Sequence, residues 1–137
     1  MTGLVTGASR GIGRAISLKL AEAGFTVVAA ARANEEKAAD YIAELKALSP
    51  ESIYVPTDIS VKEAREHLVD TAYERFGKLD ILVNNAGIIT SNKTFDLQTE
   101  DEIIRTMQIN TLAPMFVTRV ILPDMLKRNR GHICTIA

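Results

Sequence analysis

Five short apolar runs, each separated from the next by a longer stretch with helical spacing, constrain this chain more than any other feature. The runs cover residues 3–6, 25–31, 52–55, 79–83 and 131–137. Strands joined by helical crossovers pair in parallel, and the right-handedness of such crossovers leaves few topologies open. The expected fold is therefore a doubly wound α/β sheet of five parallel strands with helices on both faces, its strand order taken as 3-2-1-4-5.

The intervening stretches supply the helices. Ile12, Ile16 and Leu20, widened by Ala15 and Ala23, form the expected apolar stripe of the first, and Gly24 stands where a left-handed C-terminal cap is needed. Asn34, Glu35 and Glu36 open a second helix with acid at its positive end, and Ser49-Pro50 closes it. Ser60 and Glu63 have the spacing of a capping box for a third, whose apolar face is Val61, Ala64, Leu68, Ala72 and Phe76 and whose end is Gly77. A loop is expected over residues 84–98. Thr99 and Glu102 form a second capping box ahead of Ile103, Ile104 and Met107, and a stripe of Leu112, Phe116 and Val120 continues toward Arg128, with a kink expected at Pro123.

Composition narrows the function classes. A length of 137 residues fits one domain, and a formal charge of −1 offers no electrostatic footprint for nucleic acid or an anionic membrane. Cys134 is the single cysteine, and His67 and His132 stand far apart, so neither an internal disulfide nor a zinc site is expected. No apolar run reaches the roughly 18 residues of a membrane span, and the start lacks the pattern of a secretory signal, so a cytoplasmic location is expected.

The most informative segment lies where the first strand gives way to the first helix: Thr6-Gly-Ala-Ser-Arg-Gly-Ile-Gly13. A chain that turns sharply and brings backbone N–H groups against a diphosphate needs residues without a Cβ, and the following helix adds its partial positive charge. Gly7, Gly11 and Gly13 meet those needs at the spacing G-x-x-x-G-x-G, which differs from the common G-x-G-x-x-G. Taken alone, three glycines would also serve a tight strand-to-helix turn.

Those glycines, together with Asn84-Asn85-Ala86-Gly87 after the fourth apolar run, resemble the short-chain dehydrogenase/reductase family. Leu79-Asp80 before the Asn-Asn-Ala-Gly run, Asp58 after the third strand and Asn110 ahead of an amphipathic helix match the family pattern in order. The resemblance runs from Gly3 to the last residue and implies a single NAD(P)-binding Rossmann domain over residues 1–137, incomplete at its C-terminal side. It also implies that Ser9, Arg10 and Ile12 lie along the phosphates, that Asp58 and Ile59 flank the adenine, and that Asn85, Ala86 and Gly87 line the adenosine side.

A dinucleotide fold commonly places an acid at the end of the second strand to bond the ribose 2′-OH of NAD. Ala31 occupies that position here, and Arg32 follows it. A guanidinium there pairs with a 2′-phosphate, and Arg10 in the glycine loop adds a second positive charge, so NADP(H) is expected over NAD(H). Arg32 is also compatible with an ordinary solvated residue at a helix entrance.

Hydride transfer to a carbonyl requires a proton donor matched to working pH. The resemblance implies a Tyr assisted by a Lys four residues on, a Ser polarising the substrate oxygen, and an Asn holding a relay water. Asn110 matches the Asn, although Asn is also a favoured helix cap. Tyr41, Tyr54 and Tyr73 are followed four residues later by Leu45, Asp58 and Gly77, so no Tyr-x-x-x-Lys is present, and the family's Ser would come just after Ala137.

The expectation is the cofactor-binding half of an NADP(H)-dependent oxidoreductase acting on a small carbonyl or alcohol, inactive by itself and prone to homo-oligomerise through an open strand edge and the face of Leu112, Phe116 and Val120. Alternatives are a non-catalytic dinucleotide-binding or interaction module, and an S-adenosylmethionine methyltransferase, against which the Asn-Asn-Ala-Gly run counts.

Overall fold

In the computed structural model, which describes residues 1–89 and 93–137, five parallel strands form one sheet in the order β3-β2-β1-β4-β5. They are β1 (Thr2–Thr6), β2 (Thr26–Ala31), β3 (Ile53–Pro56), β4 (Ile81–Asn84) and β5 (His132–Thr135). The helices are α1 (Gly11–Glu22), α2 (Ala39–Leu48), α3 (Lys62–Phe76), α4 (Glu100–Met107) and α5 (Ala113–Lys127). The two-residue alternation of strand side chains divides the core between the faces. Leu4, Val28, Val55 and Leu82 join residues of α3 and α5, whereas Val5, Val27, Tyr54 and Val83 join residues of α1 and α2. The expected class and strand order are those found.

Local chemistry moved several boundaries. Phe25 lies outside β2 because its N–H closes α1, donating to Leu20 while Gly24, at φ 84°, donates to Ala21. This is the paired C-terminal cap that a left-handed glycine permits. Asn34 accepts from the N–H of Lys37 and caps a separate turn, so α2 starts at Ala39 and not at residues 34–36. β3 and β4 each begin later than expected, with Asn84 closing β4, and β5 is confined to His132–Thr135. The segment expected as a plain loop contains a 3-10 turn at Phe95–Leu97, and its residues 90–92 lie outside the described residues.

The Ser60/Glu63 capping box does not form. Both the N–H and the hydroxyl of Ser60 donate to Oδ1 of Asp58, at 3.0 and 2.6 Å, a local side-chain turn that orients Ser60 on the carboxylate instead of on the helix start. The cap of α3 is Val61, which is exposed and makes no side-chain bond. The Thr99/Glu102 box is present in both directions.

Two stripes are also rotated. α1 buries Gly13, Ser17 and Ala21, so that Ile16 and Leu20 pack only at the margin and Ile12 is exposed. α5 buries Ala113, Val117, Ile121 and Met125 and leaves Leu112, Phe116 and Val120 on its outer side. It runs through Pro123 as one helix, joined to α4 by a π-helical turn, Gln108–Leu112, that the sequence pattern did not announce.

Candidate functional site

The carboxyl ends of β1, β2, β3 and β4 open into a cavity of about 920 Å³, the place where doubly wound sheets bind ligands. Its centre is the turn between β1 and α1. Gly7 has φ 67° and Gly11 φ 55°, a region that side chains with a Cβ rarely adopt. A Cβ on Gly13 would lie 2.2 Å from the carbonyl oxygen of Gly7 and 2.4 Å from Nδ2 of Asn85, so the helix reaches the turn only because that atom is missing. At Gly11 the corresponding position faces open space.

The start of α1 is prepared for an anion. Arg10 takes the cap position with extended backbone and makes no side-chain bond to the first-turn amides, and that turn carries no acidic residue. The N–H groups and the positive end of the dipole therefore remain available to a phosphate.

β4 braces this turn from below. Nδ2 of Asn85 donates to the carbonyl oxygens of Thr6 and Gly7, and the Thr6 hydroxyl accepts from the N–H groups of Asn85 and Ala86. The side chain of Asn84 points instead to Thr118 on α5, at 3.1 Å. Asn85, Ala86 and Gly87 line the cavity beside Gly7, Ser9, Arg10, Gly11 and Ile12.

The far end of the cavity is formed by Arg32, Asp58 and Ile59. Asp58 is its only lining carboxylate among the described residues. Burial pushes the Asp58 pKa up, but the Ser60 hydroxyl and amide, Arg105 and Arg32 outweigh it and lower the pKa, so the group is charged near neutral pH. Arg105 of α4 stands 4.0 Å from Asp58. Glu35 and Glu36 do not line the cavity.

Of the residues expected from sequence, Gly13 and Asn110 lie outside the lining. Gly13 acts underneath, as its close contacts show. Asn110 sits in the π-helical turn and is not a helix cap: its Oδ1 accepts from the N–H of Ile88 at 2.8 Å and its Nδ2 donates to the carbonyl of Ile88 at 2.9 Å. Ile88 itself lines the cavity, so Asn110 holds one wall through backbone bonds. Sequence reasoning missed Lys37, which lines the cavity, and Arg105 of α4, which stands against Asp58. Lys37 had a signal, a cation five residues beyond Arg32, whereas only the fold brings in Arg105.

A parallel sheet with a glycine turn, a free helix start and a cavity at its carboxyl rim defines a Rossmann-type nucleotide-binding architecture. The profile of the short chain dehydrogenase family matches residues 2–137, and the chain belongs to that family. It is 34% identical over 134 residues to a 1,6-dihydroxycyclohexa-2,4-diene-1-carboxylate dehydrogenase of Acinetobacter baylyi, with 98% of this chain and 51% of that protein aligned. A metagenomic short-chain oxidoreductase in complex with NADP superposes with a TM-score of 0.92 at 34% identity, covering 100% of this chain and 62% of that one. A 3-ketoacyl-(acyl-carrier-protein) reductase from Brucella melitensis complexed with NADH gives 0.88 at 28% identity, over 99% of this chain and 56% of that one. The chain thus spans about half the length of the curated relatives it matches. Among the described residues, no helix is long and apolar enough to cross a membrane.

Proposed function

We propose that residues 1–137 form one NAD(P)-binding Rossmann unit, the cofactor-holding half of an NADP(H)-dependent short-chain oxidoreductase that interconverts a small carbonyl and its alcohol. The carrying observation is a single cavity with a glycine turn in its middle and Arg32 and Asp58 at one end. In this reading the amides around Gly7, Ser9, Arg10, Gly11 and Ile12 hold the diphosphate, and Gly13 lets α1 approach. Arg32, with Arg10, binds the ribose 2′-phosphate through charge-assisted hydrogen bonds. Asp58 and Ile59 take the adenine, and Asn85, Ala86 and Gly87 form the wall beside the adenosine.

The relatives support both forms of the cofactor, since one similar structure was solved with NADP and another with NADH. The choice of NADP(H) therefore rests on Ala31 and Arg32 standing where an acid would repel a phosphate. When bound, the dinucleotide supplies the hydride. Asn110 is assigned to the reacting end, where its two bonds to Ile88 fix the wall that a relay water would use.

Because the 137 residues contain no Tyr-x-x-x-Lys, a second reading is a dinucleotide-binding module without turnover of its own. Calorimetric titration of the protein with NADPH and NADH tests the cofactor reading. NADPH is expected to bind more tightly, and Arg32→Asp to reverse the order; tighter NADH binding by the unmodified protein would overturn the preference, and binding of neither would overturn the site. Reduction of simple ketones by NADPH, measured on residues 1–137 and on any longer chain that carries them, separates the two readings.

A further inference from the structure

We infer that Tyr54, on β3, is a positioning residue that sets where Arg32 stands and so sharpens recognition of the ribose 2′-phosphate; this rests on the cofactor reading above. β2 and β3 pair with Ala29 opposite Tyr54, which puts the ring on the face shared with α1 and α2 and aims it along β2 toward its end. The phenol donates to the carbonyl oxygen of Ala33 at 2.7 Å, and the carbonyl of Ala31 lies 3.4 Å away. These two carbonyls bracket Arg32. The carbonyl of Ala31 is held a second time by the N–H of Thr57, at 2.8 Å.

Burial pushes the Tyr54 pKa up, which keeps the phenol protonated and able to donate to Ala33. The ring is held from behind: it meets Tyr41 edge-on, with centroids 6.2 Å apart and planes at 75°, and Tyr41 donates to Ser17 of α1 at 2.7 Å.

Arg32 is exposed and Tyr54 is 9% exposed, so the tyrosine orders the arginine's backbone and does not contact solvent ligand itself. Discrimination between phosphorylated and unphosphorylated ribose depends on placing a guanidinium within a fraction of an ångström. Removing the phenol oxygen frees the carbonyl of Ala33 and leaves that of Ala31 to Thr57 alone, with the ring and its packing in place.

The test is Tyr54→Phe in the intact protein, with NADPH and NADH dissociation constants measured by calorimetry and folding followed by thermal unfolding. The ratio of the NADH to the NADPH constant is expected to fall by about 3- to 10-fold, the loss that one neutral hydrogen bond accounts for. Most of the change should lie in NADPH binding. In an Arg32→Ala background the same substitution should leave the ratio unchanged, because the two residues act on one phosphate. An unchanged ratio in Tyr54→Phe, an equal loss for both dinucleotides, or a fall that persists without Arg32 would overturn the positioning role while the cofactor reading stands. Failure of the unmodified protein to bind either dinucleotide would remove both.

Discussion

Asn85 donates its side-chain amide to the carbonyl oxygens of Thr6 and Gly7, at 3.0 and 3.2 Å, and so ties the end of β4 to the turn after β1. Its amide carbonyl aside, this side chain works as a brace. Asn85→Ala is expected to lower stability by about 1–3 kcal/mol, because two carbonyls at a tight turn lose their donor. NADPH affinity should fall with it, as the glycine turn loses its support. Urea unfolding and calorimetric titration of the same variant check both effects.

Gly13→Ala should be more damaging than Gly11→Ala in its packing. The added Cβ at residue 13 would meet the Gly7 carbonyl at 2.2 Å, backbone that moves only if the turn opens, whereas at residue 11 it meets nothing within 4 Å. At Gly11 the cost is the strained φ of 55°, about 1–2 kcal/mol. The expected order of thermal stability is unmodified protein, then Gly11→Ala, then Gly13→Ala; the reverse order of the two variants would contradict the contact argument.

Asn110→Ala removes both bonds to the Ile88 backbone. Since Ile88 is a wall of the cavity and the diphosphate turn is elsewhere, NADPH affinity should change less than about threefold while turnover by a catalytically complete chain falls at least about tenfold. Equal losses in affinity and turnover would place Asn110 with the binding residues instead.

Burial pushes the Tyr41 pKa up to about 12, with the Ser17 hydrogen bond opposing it in part. The folded state thus disfavours the phenolate. Stability from this group is complete below the ordinary phenol value of about 10 and is lost as the pH climbs from there through about 12. Alkaline unfolding should begin in that window, and Tyr41→Phe should move its onset to higher pH, read by circular dichroism beside tyrosinate absorbance.

Phe116 and Val120 are 42% and 51% exposed on the outer side of α5, next to Leu112 and Met115. We expect residues 1–137 to self-associate through this face, with Phe116→Glu or Val120→Glu restoring a monomer. Light scattering at high protein concentration decides; a monomeric unmodified chain would refute it.

The fold and most of the cavity were legible because both depend on short-range grammar. Apolar runs of four to seven residues alternating with helical spacing pointed to parallel strands, and glycines placed where a strand meets a helix, together with the Asn-Asn-Ala-Gly run, pointed to a close backbone approach. What escaped depended on competition between neighbouring polar groups and on packing between elements. The box at Ser60 has the right letters, but Asp58 two residues earlier took the hydroxyl. The stripes of α1 and α5 were read one position off, because small residues such as Gly13 and Ala113 occupy the tightest contacts and the larger ones stand at the margin. Tyr54 stood in the sequence only as a residue of the third expected strand with no Lys four residues on. Only the pairing of Ala29 with Tyr54 carries its oxygen to Ala33.

β3 is the outermost strand of the sheet, on the side away from β4 and the brace that Asn85 provides. In the proposed reading, the grip on a diphosphate sits between the central strands β1 and β4, whereas the choice of ribose draws on the end of β2 and on the edge strand β3. On that reading, descendants of such a chain could exchange one nicotinamide currency for the other by editing a border strand and the turn beside it, with the heart of the domain untouched.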